Sequence, residues 1–391
     1  LDVWLEAHAN NFRLGAEFLD ARQMGSDEGT GLNTTHVDEA DFIQGYLAWA
    51  KQNFLYSGLG VEVIAGRQTL NLGSRRLVAR NAFRNTINSF DGLRVRVLDY
   101  NNWQFNAFIT MPVGRYPNVS EQLLNDEHRF DEPESNTWFS GGFLELYDFI
   151  PNVSGEVYLY HLDEGDRDDR SQTRNRRYFT PGVRVYMKPS KGQFDFQLET
   201  IGQLGTVRAT TAPTDAENLT HEAWAQHADA GYTFSLPWSP RVALEYDYAS
   251  GDEDPNDKSD QRFDTLFGAR RWEYGPTGIY GAFARSNINT PGYRIAVAPR
   301  SDVQASISHR FFWLAEGKDS WTTSGLRDKT GNTDSFVGHQ LELMARWDVN
   351  SSLNLESGWT HLFKGEFARN APNAPQGGDI DYFYVQSQLR F

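Results

Sequence analysis

The chain of 391 residues contains no cysteine, so no disulfide or thiolate metal site contributes to its fold. That suits passage through an oxidising periplasm and is equally compatible with chance. Lysine is scarce, 7 residues against 30 arginines. Positive excess is missing too: the net charge is −15, which argues against a general nucleic-acid partner. No apolar run approaches the ~18 residues that a membrane helix needs, and mean hydropathy is −0.59. No repeat of fixed period runs through the chain, as a propeller or solenoid would require. No signal peptide is visible, and Leu1 already lies inside a strand-like pattern, so a leader and more sequence are expected before it.

Aromatic residues are plentiful instead, 14% of the chain, with 11 Trp, 17 Tyr and 26 Phe. A transmembrane β-barrel reconciles this content with a polar composition. Its lipid face is apolar and girdled by aromatics, its lumen is polar and its outer loops are charged. A large soluble all-β protein is the alternative that composition leaves open.

Alternation of period two decides between them, because it recurs along the whole chain. In Leu93-Arg94-Val95-Arg96-Val97 the aliphatic residues share one strand face and the arginines the other. Comparable runs extend from Asp2–Ala9 to Ile380–Phe391, about 17 strands in a single domain over residues 1–391. Connections alternate between short ones of about 2–6 residues and long ones of about 12–40, as in an antiparallel barrel with periplasmic turns and extracellular loops. The first turn, Asn10-Asn11, is short, so the first visible strand runs towards the periplasm. Even strand numbers with both termini inside then predict 18 strands in the full protein, with 16 as the alternative. A chain starting at Leu1 is expected to leave a seam of unpaired backbone beside Ile380–Phe391.

The stretches Asp20-Ala21-Arg22-Gln23, Val37-Asp38-Glu39-Ala40, Gly66-Arg67-Gln68, Gly73-Ser74-Arg75-Arg76-Leu77-Val78, Arg84-Asn85-Thr86 and Ser89-Phe90-Asp91-Gly92 together resemble the alginate-export family of outer-membrane porins. The likeness is sharpest over residues 12–111 and is carried beyond them by strand rhythm. It implies an eighteen-stranded barrel, an arginine-lined constriction and passive export of a polyuronate. One departure stands out. The alginate exporter plugs its pore with a long periplasmic loop, whereas every connection assigned to the periplasm here is short, which favours an open or loop-constricted porin. The ending Phe383, Val385, Leu389, Phe391 on one face is similar to the signal by which outer-membrane barrels are taken up by their assembly machinery.

Parity places Arg94, Arg96, Arg184, Arg310, Arg346 and Arg390 in the lumen, with Asp195, Glu199, Glu245 and Asp247 among the opposing acids. Arg75, Arg76, Arg80 and Arg84 lie in the loop before Leu93 and are expected to fold in from above. Arg67 is open: strict alternation groups it with Val63 and Ala65, and a bulge at Gly66 would turn it inwards. Guanidinium groups recognise carboxylates bidentately, and rings of charged side chains select ions. The plainer reading of any one arginine is that it neutralises an acid on the next strand. Arg94, Arg96 and the loop arginines are expected to form a cluster that nearby acids do not balance. Asp252-Glu253-Asp254 with Asp257 and Asp260 reads as a solvated acidic loop before it reads as a cation site. The nine His lack metal-ligand spacing and no Ser, His and Asp grouping can be placed, so no catalytic residue, metal or cofactor is assigned.

The expected function is a passive channel of the bacterial outer membrane for an anionic solute, alginate or another uronate polymer or oligomer. A porin for another small solute is the first alternative. A surface barrel that binds a partner or acts as a hydrolase is the second. Outer-membrane lipid, lipopolysaccharide, the solute and the assembly machinery, through the strand ending at Phe391, are the expected partners.

Overall fold

A computed structural model describes residues 1–25, 32–81, 83–166 and 172–391. Parts of two expected loops, 26–31 and 167–171, lie outside the described residues. Seventeen strands follow one another: β1 (Asp2–Ala9), β2 (Phe12–Ala21), β3 (Asp38–Lys51), β4 (Gly60–Gln68), β5 (Phe90–Asp99) and β6 (Trp103–Gly114). Next come β7 (Thr137–Ile150), β8 (Val153–Glu164), β9 (Arg177–Met187), β10 (Phe194–Arg208), β11 (Asn218–Thr233) and β12 (Arg241–Ala249). The last are β13 (Ile288–Arg300), β14 (Val303–Trp313), β15 (Phe336–Asp348), β16 (Leu353–Lys364) and β17 (Ile380–Leu389). Each pairs antiparallel with the next, and the two-residue pieces Glu132–Pro133 and Ser259–Asp260 bring the sheet to 19 strands.

Shorter and longer connections alternate along the chain, but the short-class 52–59 and the long-class 209–217 differ by a single residue, so the contrast is weaker than the sequence spacing predicts. Asn10 and Asn152 adopt the left-handed conformation that tight hairpins demand, with φ 52° and 66°. The ladders also fix which residues share a side, because directly opposed residues point the same way. In β5 and β6, Arg94 faces Phe108 and Arg96 faces Asn106, while Leu93, Val95 and Val97 oppose Ile109, Ala107 and Phe105. The side holding Asn106 and Phe108 is buried, whereas Leu93, Ile109, Leu159, Leu198, Leu244, Leu343 and Val385 stand exposed on the other. Exposed Trp138 and Trp347 lie near opposite rims of this belt. A polar interior inside an apolar, aromatic-edged exterior is the transmembrane arrangement. Leu244 is 69% exposed, and Leu244→Arg is expected to cost about 2–4 kcal/mol in a bilayer. A fall in the urea midpoint of unfolding in lipid vesicles would register it, and an unchanged midpoint would mean that this face does not meet lipid.

The sheet curls until its two ends approach. Leu1–Trp4 on one side and Gln388–Phe391 on the other line a gap of about 720 Å3, into which Arg80 and Glu17 also reach. Among the described residues β1 and β17 form no ladder with each other. An odd count in a strictly antiparallel order makes these two strands run the same way, so they cannot continue the alternation.

Candidate functional site

Residues 69–81 and 83–89, between β4 and β5, turn back into the concave interior. Leu70, Leu72, Leu77, Val78 and Ala79 are buried there. They meet a second segment from the connection between β12 and β13. Val78 bridges Phe267 in parallel, the Ala79 amide donates to the Phe267 carbonyl at 3.1 Å, and the Ala269 amide donates to Arg75 at 2.9 Å. Phe267 then packs on Phe90 and Phe139, with ring centroids 5.1 and 4.9 Å away. Gly268 sits so close that a Cβ there would lie 1.7 Å from the Arg76 carbonyl oxygen. The upper interior is therefore filled by an apolar core that wall and loops share, including Phe108, Tyr160, Phe263, Tyr274 and Phe283.

Two of the loop arginines, Arg76 and Arg80, fasten this paired insert to the wall, and Arg75 and Arg84 make contacts within it. Arg76 is buried and bonds Glu199 on β10, and it meets Glu273 at 2.9 Å on the short helix α1 (Arg271–Tyr274). Burial opposes its charge, but Glu273 and Glu199 outweigh burial and raise its pKa. Arg80 reaches Glu17 on β2. Arg75 lies over the Trp272 ring at 3.8 Å, its pKa lowered by burial. Arg84 bonds Thr86 and Asn88 within its own loop. Burial, then Arg115 and Arg270, draws its guanidinium well below the usual range. On the second segment, Arg271 holds Glu342 at 2.7 Å and the Tyr384 hydroxyl at 2.9 Å.

Beneath this insert lies a cavity of about 530 Å3, reaching towards the short-turn end at Lys188 and Pro189. Arg76, Arg184, Arg241, Arg294 and Arg310 line it, with Glu156, Asp195, Glu245 and Glu273 among the facing acids. Every one of these arginines is paired. Arg184 meets Glu156, Arg241 meets Asp195 and Asp229, Arg294 donates to Glu245 at 2.8 Å, and Arg310 bridges Glu245 and Asp247 at 3.0 and 2.9 Å. Asp247 is bonded in addition by His227 at 2.8 Å.

The remaining candidates lie elsewhere. Arg94 and Arg96 face the interior but stand apart from the loop arginines' partners: Arg94 donates to Asn106 at 2.7 Å and Arg96 to Glu62 at 2.8 Å. The expected cluster is thus dispersed: Arg76 and Arg80 reach different wall strands, Arg75 stacks on Trp272 and Arg84 stays within its own loop. Arg67 keeps strict alternation. It is opposite Asp91, on the side of Leu93, and bonds that acid at 2.8 Å, with no register shift in the β4–β5 ladder. Gly66 at φ 120° instead allows close contact with β3, where a Cβ would meet the Gly45 carbonyl at 2.4 Å. Arg346 pairs with Asp348 at 3.0 Å near a short turn, and exposed Arg390 bonds Gln388. In the acidic loop Asp260 is engaged by Arg174 and His221, while burial, then Asp260 and Asp319 beside it, raise the Asp252 pKa to about 6 against the pull of Arg262 and Arg327.

Arg241, Arg294, Arg271 and Glu273 were not singled out by sequence. Arg294 had a signal, since it alternates with Tyr293 and Ile295. Arg241 sits at a strand end beside Pro240, and Arg271 and Glu273 belong to an aperiodic stretch.

The family described as alginate export matches residues 1–377. Comparison with curated protein sequences gives no match. Among solved structures, OccK9 (OpdG) of Pseudomonas aeruginosa is 12% identical, covering 98% of this chain and 89% of that one at a TM-score of 0.56. OccK2 (OpdF) of the same organism, in complex with glucuronate, is 9% identical over 97% and 86% of the two chains at a TM-score of 0.53. OccAB1 of Acinetobacter baumannii is 12% identical over 97% and 86%, at 0.54. Family and fold neighbours together indicate a channel rather than an enzyme.

Proposed function

The chain belongs to the alginate-export family and is a β-barrel porin of the bacterial outer membrane, and from that premise we propose that it passes an anionic solute, a uronate oligomer or polymer such as alginate. The observation that carries this reading is the convergence of Arg76, Arg184, Arg241, Arg294 and Arg310 on one cavity. Guanidinium forks match carboxylates in geometry as well as charge. The wall acids keep each well shallow, as permeation requires, because a site that cannot release its ion does not conduct. With the two loops folded in, the space suits a short saccharide, and a polymer needs them displaced. The exposed belt meets lipid and lipopolysaccharide, and the strand ending at Phe391 is the segment offered to the assembly machinery.

Replacing Arg184 and Arg241 together by glutamine removes two cations while keeping hydrogen-bonding side chains. In planar bilayers the reversal potential is expected to shift towards cations, and block by glucuronate oligomers to weaken by about tenfold, or ~1.4 kcal/mol. Arg327→Glu, in an outer loop where Arg327 bonds the Lys318 carbonyl, is expected to leave both unchanged. Unaltered selectivity and block in the double variant would make these arginines wall structure only. One observation favours a second reading, a porin for another small solute: acids face every cavity arginine. Stronger block by a zwitterion than by glucuronate would favour it.

A further inference from the structure

At the long-loop end three carboxylates come together away from the cavity. Asp38 and Asp41 belong to β3 and Asp131 to the connection between β6 and β7, and one oxygen from each lies within 4.8 Å of the others. Asp38 is 3%, Asp41 2% and Asp131 7% exposed. Two residues three apart on a regular strand point to opposite faces. Here Leu19 opposes Asp41 and Ala21 opposes Asp38, so β3 holds one residue more than β2 between the pairs, and Ala40 takes a left-handed φ of 55°. This bulge turns both acids to one side.

The backbone fixes two of the carboxylates in place. The Asp131 amide donates to Asp41 at 2.5 Å, and the Tyr116 amide donates to Asp131 at 2.8 Å. Asp38 is different: both its oxygens are buried and accept no hydrogen bond among the described residues. Cationic help is incomplete. Arg67 comes within 3.8 Å of Asp41 but binds Asp91 more closely, at 2.8 Å. Arg84 and Arg115 lie in the neighbourhood, yet neither forms an ion pair with a carboxylate among the described residues; Arg115 donates to the Ile87 carbonyl and to Asn88. His128 also lies near Asp41, with its ring on the Ala40 carbonyl. Burying an unpaired carboxylate costs several kcal/mol.

We propose that Asp38, Asp41 and Asp131 form a calcium site that clamps the β6–β7 connection onto β3. Three carboxylates offer only hard oxygen donors, and calcium tolerates an irregular set of them better than magnesium, which demands a near-ideal octahedron. Asp38, Arg67 and Asp91 all come from stretches that carry the family resemblance and that the cavity leaves unused.

The test uses the full chain in detergent after treatment with EDTA. Calcium titrated in a calorimeter is expected to bind once, and terbium to give luminescence sensitised by Tyr116, whose amide touches Asp131. Asp38→Asn and Asp131→Asn are expected to weaken calcium by about tenfold or more, since affinity follows ligand charge. Both variants relieve repulsion, so they fold without metal. Asp254→Asn, in the exposed acidic loop, is expected to bind as the parent does. Absence of binding by the parent at millimolar calcium, or parental affinity in Asp38→Asn, would overturn the site and leave Arg115 as the counter-charge.

Discussion

Gly268→Val is expected to raise single-channel conductance several-fold while leaving the barrel folded. A Cβ at this position would lie 1.7 Å from the Arg76 carbonyl oxygen and 2.4 Å from its carbon. Both are backbone atoms, so no change of rotamer relieves the overlap. The two inward segments must separate, and the bonds from Ala79 to Phe267 and from Ala269 to Arg75 are lost with them. Wall ladders are untouched, because none includes Gly268. Conductance steps in planar bilayers, together with an unchanged mobility shift on heating in detergent, would register the outcome. Parental conductance in a folded variant would show that the paired loops are not the barrier to ions.

The second large effect is on stability. Arg310 is 1% exposed and bridges Glu245 and Asp247, themselves buried. Arg310→Met keeps most of the volume and leaves two acids short of a cation. Breaking a buried pair from one side costs about 3–5 kcal/mol. Arg294 still serves Glu245 and His227 still serves Asp247, which sets the expectation at the lower end of that range. Urea unfolding in lipid vesicles measures it. Adding Glu245→Gln and Asp247→Asn is expected to restore most of the loss, since it removes the stranded charges and not the packing. If the single variant unfolds with the parent, the network contributes nothing to stability.

The fold was legible because strand periodicity is short and survives anything but glycine. About seventeen alternating runs became seventeen strands, and in β10 Gly202 and Gly205 interrupt the pattern without breaking the ladder, which continues to Arg208. The inward fold of the arginine loop was expected from its position between two strands. Its partner was not, because Phe263, Phe267, Tyr274 and Phe283 fall at no regular spacing and read as scattered hydrophobics in an acidic connection. For the same reason sequence placed the loop arginines beside Arg94 and Arg96. Which group each reaches, on the wall or within the insert, depends on how the insert crosses the interior, and neighbours along the chain say nothing about that. Arg67 shows the reverse case: the sequence left its side open, strict alternation holds, and the glycine before it serves contact with β3 rather than a bulge that would turn Arg67 into the lumen.

The pairing inside the cavity changes what it means for a solute to be held. Arg184, Arg241, Arg294 and Arg310 each already grip a carboxylate of the wall. On the proposed reading a visiting acid competes with these residents. Each guanidinium it engages is shared with, or taken from, a wall carboxylate, so its passage would be a chain of partner swaps in which a displaced glutamate or aspartate helps to release the visitor. Speed would then depend on how quickly wall carboxylates swing, and discrimination on whether the visitor's own acid reaches the next fork before the resident returns.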